Sequence, residues 1–284
     1  MMMSDHNPTI AKEPVIDLRS VSLTQNIKLA LVDLLQGILQ ISLGWKLGWL
    51  DVKLRYRGSI LGPLWITIIM GVKITTIGVL YAFLLHLDLK HYYTYVAISV
   101  VLWTYMSGMI NDSCTIFTNA SPLILSQRIP FSIYVWRTVF CNILILLHNL
   151  LVIIVVFSVF KIVPYTLYLL LPSALLWIMD SLAIGILFGV LGTRFKDIPP
   201  IVSAFTQAFF FITPIIWKAS SLNFNKDYIL LNPFYPLFEI VRAPILGEPL
   251  TSSIWIAAIG YSLILWIIAL FIFSKTRFRI PYWM

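Results

Sequence analysis

Charge is what this sequence has least of. Of 284 residues only 11% are Asp, Glu, Lys or Arg, against about 25% in a soluble domain. A soluble globule of this size must show water a surface close to half polar. A soluble enzyme, a secreted domain and a disordered chain are therefore excluded. Cysteine is scarce too: Cys114 and Cys141 are too few for a disulfide framework. Nowhere does the chain read G-x-x-x-x-G-K-[ST], so it carries no phosphate-binding loop of its own for ATP. It lacks H-E-x-x-H, any Cys/His cluster with metal-ligand spacing, and G-x-S-x-G, so no metal and no catalytic residue are expected. His86 and His91 flank Asp88 and read as solvated loop residues. A lipid-modifying enzyme would need a reactive cluster at one interface, whereas Asp112, Asp180 and Asp197 are scattered in depth. The polar N-terminus has no apolar signal-peptide core and reads as a cytoplasmic tail over residues 1–25.

What the chain has is apolarity: 60% of its residues are hydrophobic and its mean hydropathy is +0.90. The apolar runs are about 20 residues long and contain Gly and Pro, which suits membrane helices. A β-barrel would need short segments of alternating polarity. The expectation is an all-α integral membrane protein with six spans, at residues 64–85, 95–117, 131–160, 167–191, 200–217 and 254–273. Fourteen of the 20 Lys and Arg fall on the side of both termini, five on the other, and Lys73 lies within a span. Basic residues stay cytoplasmic, so both termini are expected in the cytoplasm. The net charge of +8 reports orientation, not nucleic-acid binding.

Residues 26–43 are apolar but interrupted by Lys28, Asp33, Gln36 and Gln40. A charge at a span's centre costs about 2.5 kcal/mol or more, so a surface-lying helix is expected there, not a seventh span. Residues 44–57 mix Trp45, Leu47, Trp49, Leu50, Val52 and Leu54 with Lys46, Asp51, Lys53, Arg55 and Arg57. That is an interfacial amphipathic helix, serving either as a plain anchor or as a working element. Residues 26–62 thus form a surface unit and residues 63–284 a six-helix transmembrane unit with a short cytoplasmic C-terminus. No internal repeat is visible, which disfavours an inverted-repeat transporter.

The sharpest local signal is Lys53-Leu-Arg-Tyr-Arg-Gly-Ser-Ile-Leu-Gly-Pro-Leu-Trp65: a basic helix ending near Gly58, a turn, and Pro63 opening the first span, where its missing N–H costs nothing. This run closely resembles the entry to the first span in permease subunits of ABC exporters for cell-surface polysaccharides (O-antigen, capsule, teichoic acid and galactan). Asn119-Ala-Ser-Pro-Leu-Ile-Leu-Ser-Gln-Arg-Ile-Pro130, Gly192-Thr-Arg-Phe-Lys-Asp-Ile198, and Leu231-Asn-Pro-Phe-Tyr-Pro-Leu237 followed by Arg242 resemble later segments of the same family, in the same order. The resemblance covers about residues 44–273.

The resemblance implies a homodimer in the bacterial inner membrane, bound to two separate ATP-binding subunits that would hold ATP and Mg. It implies export of a polysaccharide on an undecaprenyl-type lipid carrier, O-antigen first. An ABC permease for a drug or small lipid is the alternative. From the family, coupling to the ATPase carries over to Lys53, Arg55, Arg57, Arg194 and Asp197. Arg55, Arg57 and Arg128 are candidates for the lipid pyrophosphate, Arg being suited to bidentate phosphate contact; ordinary positive-inside residues are the other reading.

A conduit for variable sugars should be aromatic and weakly polar. Trp65, Tyr81, Tyr95, Trp103, Tyr105, Phe205 and Phe209 are candidates, with core packing and interfacial belts as the competing reading. The outer segment 218–250 is chopped by Pro233, Pro236, Pro244 and Pro249 and suits short helices dipping back into the outer leaflet, covered by protein. Lys73 and Asp180 lie about 13.5 and 16.5 Å from the inner ends of their spans at 1.5 Å per residue. A buried ion pair between spans one and four is expected, with Lys73 facing the sugar path as the rival. Gly185 and Gly189 form a G-x-x-x-G pair for close helix packing.

Overall fold

A computed structural model describes residues 22–162, 164, 166–219 and 226–284. Of the expected cytoplasmic tail, residues 1–21 lie outside the described residues. The chain is all-α, an integral membrane protein, with no strand among the described residues.

Its helices are α1 Leu23–Leu39, α2 Ile41–Arg55, α3 Leu64–Leu84, α4 Leu89–Ser113, α5 Ile116–Asn119, α6 Ser121–Ser126, α7 Phe131–Phe160, α8 Leu170–Arg194, α9 Ile198–Ile212, α10 Phe234–Leu246 and α11 Ser252–Thr276. A 3₁₀ turn, Arg277–Tyr282, follows α11. Five helices, namely α3, α4, α7, α8 with its preceding 3₁₀ turn, and α11, are long and apolar enough to cross a bilayer.

The fifth expected span departs from its predicted length. Helix α9 has 15 residues, about 22 Å at 1.5 Å per residue, and stops at Ile212 instead of running to Trp217. Pro214 is the cause, because a proline disfavours helical geometry in the residue before it; Thr213 is extended, with ψ 139°. The next residues continue without helix, and side chains of other elements hold their carbonyls.

The bundle is built around α4, most of whose length is buried. Helices α3, α7, α8, α9 and α10 pack on it, and α11 closes against α8 and α10. The close packing expected of the α8 glycines is present. A Cβ on Gly185 would lie 2.3 Å from Val135, and one on Gly192 only 1.9 Å from the Cys114 carbonyl oxygen.

Helix α2 meets α1 at a bend of 68° and packs along the first half of α7, in the same direction. Gly44 sits against Trp136, Gly48 against Arg137 and Phe140, and Val52 against Cys141 and Leu144. Gly58 and Gly62 take positive φ, 82° and 54°, which lets the chain turn sharply from α2 into α3. Helix α1 is tied in by Asp33. Its carboxylate accepts the backbone N–H groups of Phe131 (3.2 Å) and Ser132 (3.0 Å) and so caps the start of α7. Arg277 stands 3.7 Å away.

Helix α10 runs beside the outer halves of α4 and α8. The Trp177 indole donates to the Leu237 carbonyl at 2.7 Å, Ser173 to Ile240 at 2.7 Å and Thr166 to Pro244 at 2.9 Å. Phe234, at the helix start, touches Trp103 deep in the bundle. Gly247, with φ 73°, ends the helix. The segment before the last span therefore descends among the spans and climbs back out.

Candidate functional site

The end of the bundle expected to face the cytoplasm carries two basic groups on different elements. On α2 and the turn after it, Lys53, Arg55 and Arg57 are exposed, but they divide between two cavities. Arg55 opens on a polar cavity of about 280 Å³ lined by Asp51, Asp112, Tyr134 and Arg137. Lys53 and Arg57 rim a largely apolar crevice of about 630 Å³ with Trp49, Tyr56, Pro63 and His148. Within the polar cavity Arg137 grips Asp51 through two N–H···O bonds of 2.6 Å, a fork geometry only Arg offers. The Asn142 amide donates to Asp112 at 2.9 Å. This Asp51–Arg137 pair pins α2 to α7, a tie that the spacing of the two residues in sequence does not reveal. Arg128 is exposed on the segment between α6 and α7, apart from Arg55 and Arg57.

The second basic group is the α8–α9 turn, where Arg194, Lys196 and Asp197 are exposed. The Arg194 guanidinium lies 5.2 Å from the Phe195 ring centre and 4.9 Å from that of Trp283. The nearby Cys114 is buried, 1% exposed.

The structure corrects the expected Lys73–Asp180 pair. Asp180 is buried and accepts the Ser262 hydroxyl of α11 at 2.8 Å. Lys73 is exposed on α3, with its ammonium 5.9 Å over the Phe210 ring of α9. Helix α3 packs on α4 and α7, whereas α8 lies on the other side of them against α11. Equal depth did not mean proximity.

The aromatic candidates also divide. Tyr95, Trp103 and Tyr105 are buried in this chain's own core and do not face a path. Tyr105 stacks on Trp177 at 5.4 Å and shares a 2.8 Å hydrogen bond with Ser181. Trp103 packs on Phe210 and Phe234. Phe209 is half-buried against Phe234 at 4.9 Å, and Tyr81 is half-buried. Trp65 (43% exposed) and Phe205 (61%) are open.

Tyr95 belongs to a polar hub that sequence reasoning missed. Arg242, 2% exposed, pairs with Glu239 one helical turn away. Its Nη1 donates to the Tyr95 hydroxyl (2.8 Å), to Ser99 (3.2 Å) and to the Pro214 carbonyl. The Tyr95 hydroxyl in turn lies between the carbonyls of Pro214 (2.9 Å) and Trp217 (2.8 Å), and Tyr92 donates to Ile216 at 2.8 Å. The hub thus ties α4, α10 and the non-helical end of α9 together and satisfies backbone that would otherwise be unpaired at membrane depth. The available signal was two charges three residues apart in an apolar run.

These features define a multi-pass helical membrane protein with a basic, pocketed face at one end of the bundle and a helix, α10, packed against the spans before the last one. No protein-family model matches the chain. Two curated relatives carry the name O-antigen export system permease protein RfbA. That of Myxococcus xanthus is 22% identical over 194 residues, 68% of this chain and 75% of the relative. That of Klebsiella pneumoniae is 22% identical over 240 residues, 81% and 90% respectively. The resemblance to permease subunits of polysaccharide ABC exporters therefore extends over most of the chain.

Proposed function

We propose that this chain is the transmembrane subunit of an ABC exporter that moves a lipid-linked polysaccharide, of the O-antigen kind, outward across the bacterial inner membrane. Two copies enclose the path, both termini are cytoplasmic, and ATP and Mg are held by two ATP-binding subunits docked on the inner face. The undecaprenyl-type carrier would present its pyrophosphate near Arg55, Arg57 or Arg128. The Lys53–Arg57 run and the Arg194–Asp197 turn would take up the motion of the ATP-binding subunits.

The observation that carries this reading is the outward face of α3 and α9. Lys73 sits about 13.5 Å into its span and is exposed there, beside Thr76 and within reach of the α9 aromatics. A lysine facing hydrocarbon at that depth costs several kcal/mol. Facing a watery passage between two copies, it costs far less. Trp65 on α3 and Phe205 on α9 are open and supply rings on which the C–H faces of sugars can pack, while Lys73, Thr76 and Gln207, also exposed, meet hydroxyls.

The test is cellular. Cells lacking this chain should accumulate lipid-linked polymer on the cytoplasmic side, and the wild-type chain should clear it. Normal surface polymer in such cells overturns the reading.

A further inference from the structure

The inner face holds one cation whose placement is more constrained than orientation requires. Arg194 ends α8, where a cation already gains from the partial negative charge of the last carbonyls. That alone would leave its side chain free to sweep. Instead the guanidinium packs on two rings, Phe195 of the next residue at 5.2 Å and Trp283 from the far end of the described chain at 4.9 Å. Trp283 is itself anchored. Ile280 is fully buried in the same core as Phe273, the Trp283 N–H donates to the Ile280 carbonyl at 3.1 Å, and the 3₁₀ turn packs on both α8 and α6. Among the described residues no carboxylate pairs with Arg194, whose guanidinium packs on the two rings. Lys196 and Asp197 are exposed on the same turn, and Lys275 and Arg279 are exposed on the chain that leads to Trp283.

We infer that Trp283 is a positioning residue that holds the Arg194 guanidinium ready to receive a carboxylate of a folded protein partner, the ATP-binding subunit of the proposed function. This inference rests on that reading. A guanidinium held against a ring has less freedom left to lose on pairing bidentately with a carboxylate. Anionic lipid makes a different demand: headgroups move, and mobile lysines serve them as well. The restraint on Arg194 is what favours a protein carboxylate of fixed position.

The experiment uses the full chain in nanodiscs with and without anionic lipid, and its cognate ATP-binding subunit, and measures Kd and stimulated ATP hydrolysis. Trp283→Ala should weaken binding about two- to fivefold, the range of an exposed cation–π contact. Trp283→Phe should restore it, and Arg194→Lys, which keeps charge but loses the fork, should not. In an Arg194→Ala background, Trp283→Ala should cost nothing more, which a merely structural tryptophan would not obey. If the wild-type chain binds no ATP-binding subunit, the functional reading itself falls. If it binds, but Trp283→Ala binds as tightly or costs the same without Arg194, the inference falls alone. Loss of the Arg194 effect in nanodiscs free of anionic lipid would assign the clamp to lipid and overturn it too.

Discussion

Replacing Arg242 by alanine tests how the outer segment is held. The guanidinium serves the Glu239 carboxylate, the Tyr95 and Ser99 hydroxyls and the Pro214 carbonyl, all in a setting where Arg242 is 2% and Glu239 7% exposed. Removing one partner of a buried pair strands the other charge, a cost of about 3–5 kcal/mol. The Pro214 carbonyl keeps the Tyr95 hydroxyl at 2.9 Å, so losing its bond from Arg242 adds little to that figure. At about 2–4 °C per kcal/mol for a chain of this size, R242A should melt roughly 6–20 °C below wild type when followed by tryptophan fluorescence in detergent. The companion variant separates charge from packing. Glu239→Ala in the R242A background removes the stranded carboxylate, so the double variant should be more stable than R242A by at least about 1 kcal/mol, a coupling well above the additivity error of independent sites. The refuting result is a pair of single variants that each cost under about 1 kcal/mol and simply add, since that is how a solvated pair behaves.

Three further outcomes follow from the same contacts. Lys73→Leu and Asp180→Asn should show no thermodynamic coupling, within about 0.5 kcal/mol in a double-mutant cycle; a larger coupling would restore the ion pair that the geometry removes. Gly192→Ala places a methyl 1.9 Å from the Cys114 carbonyl oxygen, so backbone must shift, and a loss of about 3 kcal/mol or more, read as lost folded yield in detergent, is expected. At 1% exposure, Cys114 should resist maleimide at pH 7–8 in the folded chain and label promptly once the protein is unfolded in SDS, because the reagent must reach the sulfur and only the thiolate reacts; rapid labelling at pH 7.5 without denaturant would contradict its burial.

The spans were legible because apolarity persists for about 20 residues wherever lipid must be met, and α3, α7, α8 and α11 follow those runs closely. Apolarity misled at α9, where hydrophobic residues continue to Trp217 while the backbone leaves the helix at Pro214: side-chain chemistry marks where lipid is, and backbone chemistry marks where the helix is. The turn Gly58–Gly62 into α3 and the descent of α10 could be read because Gly and Pro constrain φ directly. The aromatics of α4 could not be assigned a face. A helix buried nearly all round has no polarity contrast between core and path, and Tyr95, Trp103 and Tyr105 are of the same residue types as the exposed Trp65 and Phe205.

Charges were the hardest residues to read, because position along a span gives depth but not direction around it. Lys73 and Asp180 match in depth and face opposite ways. Asp33 looked like a cost that would keep α1 at the surface, yet its carboxylate caps α7, a helix nearly a hundred residues away in sequence. Arg242, in sequence only the cation after the Leu231–Leu237 run, is the least exposed arginine of the described chain. In each case the deciding fact is a partner from a remote element. A charge in an apolar sequence is tolerated only where something answers it, so an uninterrupted apolar neighbourhood around a charge is itself the sign that the answering group lies elsewhere in the fold. By that rule Glu239 and Arg242 identify each other through their spacing, whereas Lys73, with no acid within a turn of it on α3, lies exposed over the Phe210 ring of α9, and the passage proposed between two copies would supply the water that answers its charge.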